Sequence, residues 1–214
     1  MASLITKLFQ FVMVITARHK IDESHSVSHS MDVLHFAHNI YNSQLQQWPE
    51  LKDHERLIYV SAIIHDMCDK KYMNENEGVA EIEEYLNDKI PQEEIDMTNR
   101  IISTMSYSTV KKNGFPELGV YTPAYHIVRE ADLLSAYDFD RSMIYHMHKN
   151  NISVEQSFKN AKDLFRTRVL RHENDGLFIT DYSKTYHPYL HNKALARMNA
   201  WERILSKKGG SGMV

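Results

Sequence analysis

The sequence predicts an all-α protein, on three observations. Apolar residues recur at helical spacing through most of its 214 residues. Only Gly78, Gly114, Gly119 and Gly176 precede the glycine-rich terminus, too few for a fold of hairpins or phosphate-cradling loops. Pro49, Pro91, Pro116, Pro123 and, less cleanly, Pro188 fall near the expected helix boundaries, where a first turn tolerates a residue without an N–H.

About eight helices are expected, at about 3–19, 27–47, 53–67, 76–88, 91–105, 123–149, 153–171 and 182–206. The first covers an apolar run from Leu4 to Ala17, interrupted by Lys7 and Gln10. That run is shorter than the roughly 20 residues of a membrane span, and it lacks the basic flank and cleavage site of a signal peptide. The second helix aligns His29 with Val33, Phe36, Ala37 and Ile40 on one stripe. In the third, Asp53 can cap the N-terminus, and the apolar run Leu57 to Ile64 leads straight into His65-Asp66. Residues 106–121 form the longest expected non-helical stretch, either a functional lid or an ordered connector. Thr122-Pro123 suits the start of the sixth helix, which sets Asp132 on a face with Tyr125, Val128, Ala131 and Ala136 and directs Arg129 and Glu130 elsewhere. Ser153 with Gln156 makes a capping box for the seventh. His187-Pro188 either kinks the last helix or marks its true start. Gly209-Gly210-Ser211-Gly212 reads as a flexible tail. The organisation expected is one helical domain over 1–208 and a tail over 209–214, without internal repeats.

Composition bounds the function. A formal net charge of −3 supplies no global electrostatic case for nucleic-acid binding. The single cysteine, Cys68, rules out an intrachain disulfide and agrees with a reducing, cytoplasmic location. It reads as a buried thiol packing as a small apolar group. The basic group Lys159, Lys162, Arg166, Arg168 and Arg171 reads as a solvated helix face, with a substrate funnel as the alternative. No membrane partner is expected, and a homodimer formed through the first or last helix is left open.

The informative residues are polar ones on faces that should point inward. His29, His65 and Asp132 each lie on such a face, and Asp66 sits beside His65. Any one alone reads as a hydrogen-bonded core residue. Four together read as a metal site, because two neutral imidazoles and two carboxylates form a mixed N/O set suited to Mn, Fe, Co, Ni, Zn or Mg. Their formal charge of −2 is what one divalent ion neutralises, and four ligands leave positions open on an octahedral ion.

The order His29 … His65-Asp66 … Asp132 resembles the HD-domain superfamily of metal-dependent phosphohydrolases. The segments His29-Ser30-Met31-Asp32-Val33, Ala62-Ile63-Ile64-His65-Asp66-Met67 and Arg129-Glu130-Ala131-Asp132-Leu133-Leu134-Ser135-Ala136 carry the resemblance. Ser24-His25 before the first ligand and Asp69-Lys70-Lys71-Tyr72 after the pair are similar to small bacterial-type HD hydrolases that include nucleotide pyrophosphatases. The Ile179-Thr180-Asp181 region and the long last helix extend this likeness. The chain departs at Asp32, where an Arg is frequent, and at Leu133 and Ser135, where an Arg and an Asp are common.

The resemblance implies a phosphohydrolase that cleaves a phosphoester or pyrophosphate bond of a nucleotide or similar small phosphorylated metabolite. Water activated by one divalent metal, held by His29, His65, Asp66 and Asp132, would attack phosphorus. Asp69, one helical turn past Asp66 if the helix continues, is the candidate to orient or deprotonate that water or to protonate the leaving group; its plain alternative is a turn carboxylate. Lys70 and Lys71 are candidates to hold substrate phosphates, against a solvated lysine pair. His25 is a candidate for the pocket wall, and a second metal through it stays open. Two other functions remain on the same scaffold: a metal-dependent enzyme that is not a phosphatase, and an inactive ligand-binding or regulatory module.

Overall fold

The apolar periodicity folds as α-helix throughout, and the residues described by this computed structural model, 1–206, contain no strand. The tail expected at 209–214 lies outside the described residues. Among the described residues ten α-helices stand where about eight were expected, and the chain divides into two compact units, Met1–Ser135 and Ala136 onward.

The first unit holds α1 (Ala2–His19), α2 (Val27–Gln44), α3 (Glu55–Ile64), α4 (Glu75–Leu86), α5 (Gln92–Thr104), α6 (Tyr107–Asn113) and α7 (Thr122–Ser135). Its centre is α3, in which every residue from Leu57 to Ile64 is buried. A helix apolar on all sides must be surrounded, and α1, α2, α5 and α7 all pack on it. Leu8, Val12 and Ile15 of α1 meet Val60, Ile63 and Ile64 of α3 and Ile82 and Leu86 of α4 in one apolar core. On the other side α2 lies along both α3 and α7. Among the described residues, no helix is long and apolar enough to cross a membrane.

Local chemistry explains where the elements stop. α1 ends at Lys20 in the left-handed region, φ 53°, with its N–H donating to the Thr16 carbonyl. Asp53 does not cap α3; residues 49–54 form a 3-10 helix instead, and His54 takes the cap position without a side-chain bond. α3 stops at Ile64, so Asp69 sits in a turn, its N–H donating to the Asp66 carbonyl at 3.2 Å, rather than one helical turn on. The stretch 106–121 is not structureless. Ser106 caps α6 by accepting from the Thr109 N–H, and Gly119–Tyr121 forms a 3-10 turn before α7. Close approach demands Gly78: a Cβ there would lie 2.7 Å from Cys68 Cα and 2.8 Å from Met73 Sδ. This contact seats α4 on the turn that follows His65-Asp66.

The second unit holds α8 (Phe139–Asn150), α9 (Val154–Thr167) and α10 (Asp181–Ser206). The continuous helix expected over 123–149 is broken because Asp138 adopts an extended conformation and its carboxylate accepts from the N–H groups of Asp140 and Arg141, starting α8 afresh. Ser153 caps α9 by accepting from the Gln156 N–H, but the Gln156 side chain donates to Asn160, so only half the capping box forms. Phe139 packs edge-on against Phe158 and Phe165 in this unit's core. Pro188 sits inside α10 without ending it. The carbonyl of Lys184, which would have received the missing Pro188 N–H, has the His187 imidazole Nδ1 at 3.1 Å instead.

Candidate metal centre

Each of the four expected ligands is delivered by a different local device. His29 lies in the first turn of α2, buried against α3 and α7. His65 is the residue after α3, where the last carbonyls of a helix lack intrahelical donors. Its Nδ1 donates to one of them, the Ala62 carbonyl, at 2.9 Å. Because a carbonyl only accepts, this bond places the proton on Nδ1 and turns Nε2 inward as a lone pair in the neutral ring. Asp66 follows directly, and Asp132 comes from α7.

Their atoms converge. His29 Nε2 lies 3.1 Å from His65 Nε2, and both are 3.2 Å from Asp66 Oδ2. Asp132 Oδ1 is 3.5 Å from His29 Nε2 and 3.7 Å from His65 Nε2. Yet Asp66 Oδ2 is buried with no hydrogen bond of normal geometry. A divalent ion with bonds of about 2.1 Å sets neighbouring ligand atoms about 3.0 Å apart in an octahedral shell and about 3.4 Å apart in a tetrahedral one. The observed separations, 3.1 to 3.7 Å, fall close to those values, and a buried carboxylate oxygen beside two imidazoles is a ready ligand, so the residues suit a divalent metal. His29, His65 and Asp66 form a group that could hold such an ion.

Electrostatics agree. Burial alone would lower the His65 pKa, but Asp66 and Asp132 overcome it and push it up to about 9. Burial likewise works to raise the two carboxylates, and the imidazoles hold both well below the usual carboxylate range. Without a metal, the cluster recruits a proton as its positive charge.

Around the four lie residues of two kinds. Ser135, the last residue of α7 and one turn beyond Asp132, has its Oγ 3.0 Å from His29 Nδ1. Ser135, one of the three positions where the sequence departs from the superfamily it resembles, therefore touches His29. On the other side, His25, Asp66 and Asp69 also bring ligand atoms within 4.8 Å of one another. Lys71 spans this group: its Nζ is 2.8 Å from Asp69 Oδ2 and 3.4 Å from His25 Nε2, and its backbone N–H donates to Asp69 Oδ1. Lys70 is exposed and pairs with none of these groups.

Sequence reasoning did not single out Asp22 or the hydroxyl of Tyr72. Asp22 is buried and caps the 3-10 turn Glu23–His25. Its carboxylate accepts from the hydroxyls of Ser24 and of Tyr72, the latter at 2.6 Å, and both hydroxyl oxygens also lie on His25 Nδ1, at 2.7 and 2.9 Å. The Asp-x-Ser spacing of a capping turn was the one signal available.

Arg129 and Glu130 are a correction to the expected face. Both are buried, at 1% and 0% exposure, and paired at 3.1 Å. The Phe115 ring covers the guanidinium at 4.7 Å, and His126 Nδ1 lies 3.3 Å from it. Burial and the neighbouring guanidinium push the His126 imidazole down to about 4. The expected polar side of α7 is thus internal, made tolerable by pairing.

No family model matches the chain, and no curated protein does. A crystal structure of a Lactobacillus plantarum protein, determined as a structural-genomics target, superposes with a TM-score of 0.69 over 97% of this chain and 99% of that one, at 17% identity. At that identity the likeness shows a shared fold.

Proposed function

We propose that this chain is an HD-type metal-dependent phosphohydrolase that cleaves a phosphoester or pyrophosphate bond in a nucleotide or similar small phosphorylated metabolite. The observation that carries the reading is the clustering of His29 Nε2, His65 Nε2 and Asp66 Oδ2 within 3.1 to 3.2 Å of one another, with Asp132 Oδ1 at 3.5 and 3.7 Å from the two imidazoles. These four would hold one divalent ion. When bound, such an ion lowers the pKa of water and polarises a phosphoryl oxygen.

The chain's own residues do the rest. Asp69 stands beside Asp66, with a side chain 17% exposed. It can accept a proton from an attacking water or return one to the leaving oxygen. Lys71, anchored on Asp69 yet 42% exposed, can turn its ammonium toward a substrate phosphate. His25, held from behind by Ser24 and Tyr72, presents Nε2 to the same space. Lys70 stays outside this arrangement, and its part is at most long-range attraction of an anionic substrate.

The test is direct. Bound metal is measured by mass spectrometry, and nucleoside mono-, di- and triphosphates are screened with Mn, Co, Ni and Mg, phosphate and pyrophosphate being detected separately. Pyrophosphate release indicates a nucleotide pyrophosphatase and phosphate release a phosphatase. Absence of turnover with every metal refutes the catalytic reading. His65→Ala and Asp132→Asn should each lose metal while remaining folded; retention in both refutes the ligand assignment.

A further inference from the structure

Beside the four ligands, His25, Asp66 and Asp69 bring an imidazole nitrogen and two carboxylate oxygens within 4.8 Å of one another. Taken alone, that set would suit a second divalent ion sharing Asp66 with the first. A positive charge already stands there. Lys71 Nζ lies 2.8 Å from Asp69 Oδ2 and 3.4 Å from His25 Nε2. The same residue's backbone N–H holds the other Asp69 oxygen at 2.9 Å, so Asp69 is gripped from both ends.

Hydrogen-bond accounting at His25 shows why its outward nitrogen belongs to this group. The Asp22 carboxylate, kept ionised by the bonds it accepts from Ser24 and Tyr72 despite its burial, takes the single proton of each of those hydroxyls. The hydroxyl oxygens can then only accept from His25 Nδ1, which must carry a proton. Nε2 is left to face Asp69 and Lys71, as an acceptor in the neutral ring. Asp22 thus orients His25 across a chain separation that ends at Tyr72, and the turn after His65-Asp66 is tied to the turn before α2.

Charge leads the same way. Asp66, Asp69 and Asp132 bring −3 to the site and Lys71 returns +1, leaving −2, the charge that one divalent ion neutralises. We propose that the Lys71 ammonium is a built-in cation standing where a second metal would bind, so that the site takes one divalent ion and one lysine. The inference rests on the metal reading above. It makes Lys71 a determinant of metal stoichiometry as well as a contact for a substrate phosphate.

Manganese(II) is the probe, with stoichiometry measured by equilibrium dialysis and metal–metal coupling by electron paramagnetic resonance. The wild-type chain should bind one Mn(II) with an uncoupled spectrum. Lys71→Ala should bind two and show exchange coupling. Lys71→Arg should stay at one, and adding Asp69→Asn to Lys71→Ala should return it to one. Circular dichroism checks that each variant is folded. Two Mn(II) in the wild type, or one in both wild type and Lys71→Ala, would overturn this inference and leave the metal reading standing. No Mn(II) in the wild type would overturn both.

Discussion

Replacing Gly78 with Ala tests how the site is seated. The added Cβ would lie 2.7 Å from Cys68 Cα, 2.8 Å from Cys68 Cβ and 2.8 Å from Met73 Sδ. Carbon atoms rest at about 3.5–4.0 Å, so these neighbours must retreat by roughly 1 Å. The Met73 side chain can move aside, but the Cys68 backbone cannot without shifting its turn. Overpacking of this kind costs about 1–3 kcal/mol, and the better helix propensity of Ala offsets about 1 kcal/mol of it. Because a backbone atom is struck, the upper part of the range applies, for a net loss of about 1–2 kcal/mol. For a chain of this size that is a fall in Tm of about 2–8 °C. Cys68 is two residues from Asp66 and one from Asp69, and metal sites tolerate only about 0.2 Å in ligand distance. Mn(II) affinity should therefore fall by about tenfold or more. Thermal unfolding of the metal-free protein and calorimetric titration with Mn(II) read the two effects. A variant with wild-type Tm and wild-type affinity would refute the argument that this contact seats the turn.

Three further outcomes are expected. Ser135→Ala removes a partner of His29 Nδ1 and should weaken metal binding by about 10–100-fold and cost about 1–3 kcal/mol of metal-free stability, while Ser135→Thr retains affinity; equal affinity for all three would show that Ser135 does not orient the ring. Glu130→Gln leaves the Arg129 charge buried without its carboxylate and should cost about 3–5 kcal/mol in urea unfolding, and a loss below about 1 kcal/mol would contradict an internal ion pair. The pH dependence follows from His65, whose pKa rises on folding from 6.5 to about 9. A group raised in the folded state stabilises it fully below the unfolded value and loses that contribution as pH climbs through the folded one. Metal-free protein should accordingly lose stability from pH 6.5 to 9, while Mn(II) affinity climbs over the same interval because the ion displaces that proton. A metal-free Tm that holds steady or rises across this interval would count against a proton standing in for the metal.

Helix class and the candidate ligands were legible in the linear chain because both depend on local order. The spacing of Val33, Ala37 and Ile40 marks a buried stripe wherever the helix lies, and His29 falls on it. The run Leu57 to Ile64 announces a central helix, and a histidine placed just after it meets orphaned carbonyls by position alone. What periodicity cannot see is the surroundings of a helix on its other sides. Arg129 and Glu130 look like a solvated face until Phe115 is laid over them. The break at Asp138 depends on a side chain outcompeting helix propensity that runs uninterrupted on either side. The convergence of four ligand atoms, the hold of Ser135 on a histidine 106 residues away, and the link from Asp22 through Tyr72 to His25 are pairings of residues distant along the chain. Only packing of α2, α3 and α7 together with the turns that adjoin them could decide them, since a hydrogen bond's length and direction are properties of two backbones brought together, and no single segment encodes the other's position.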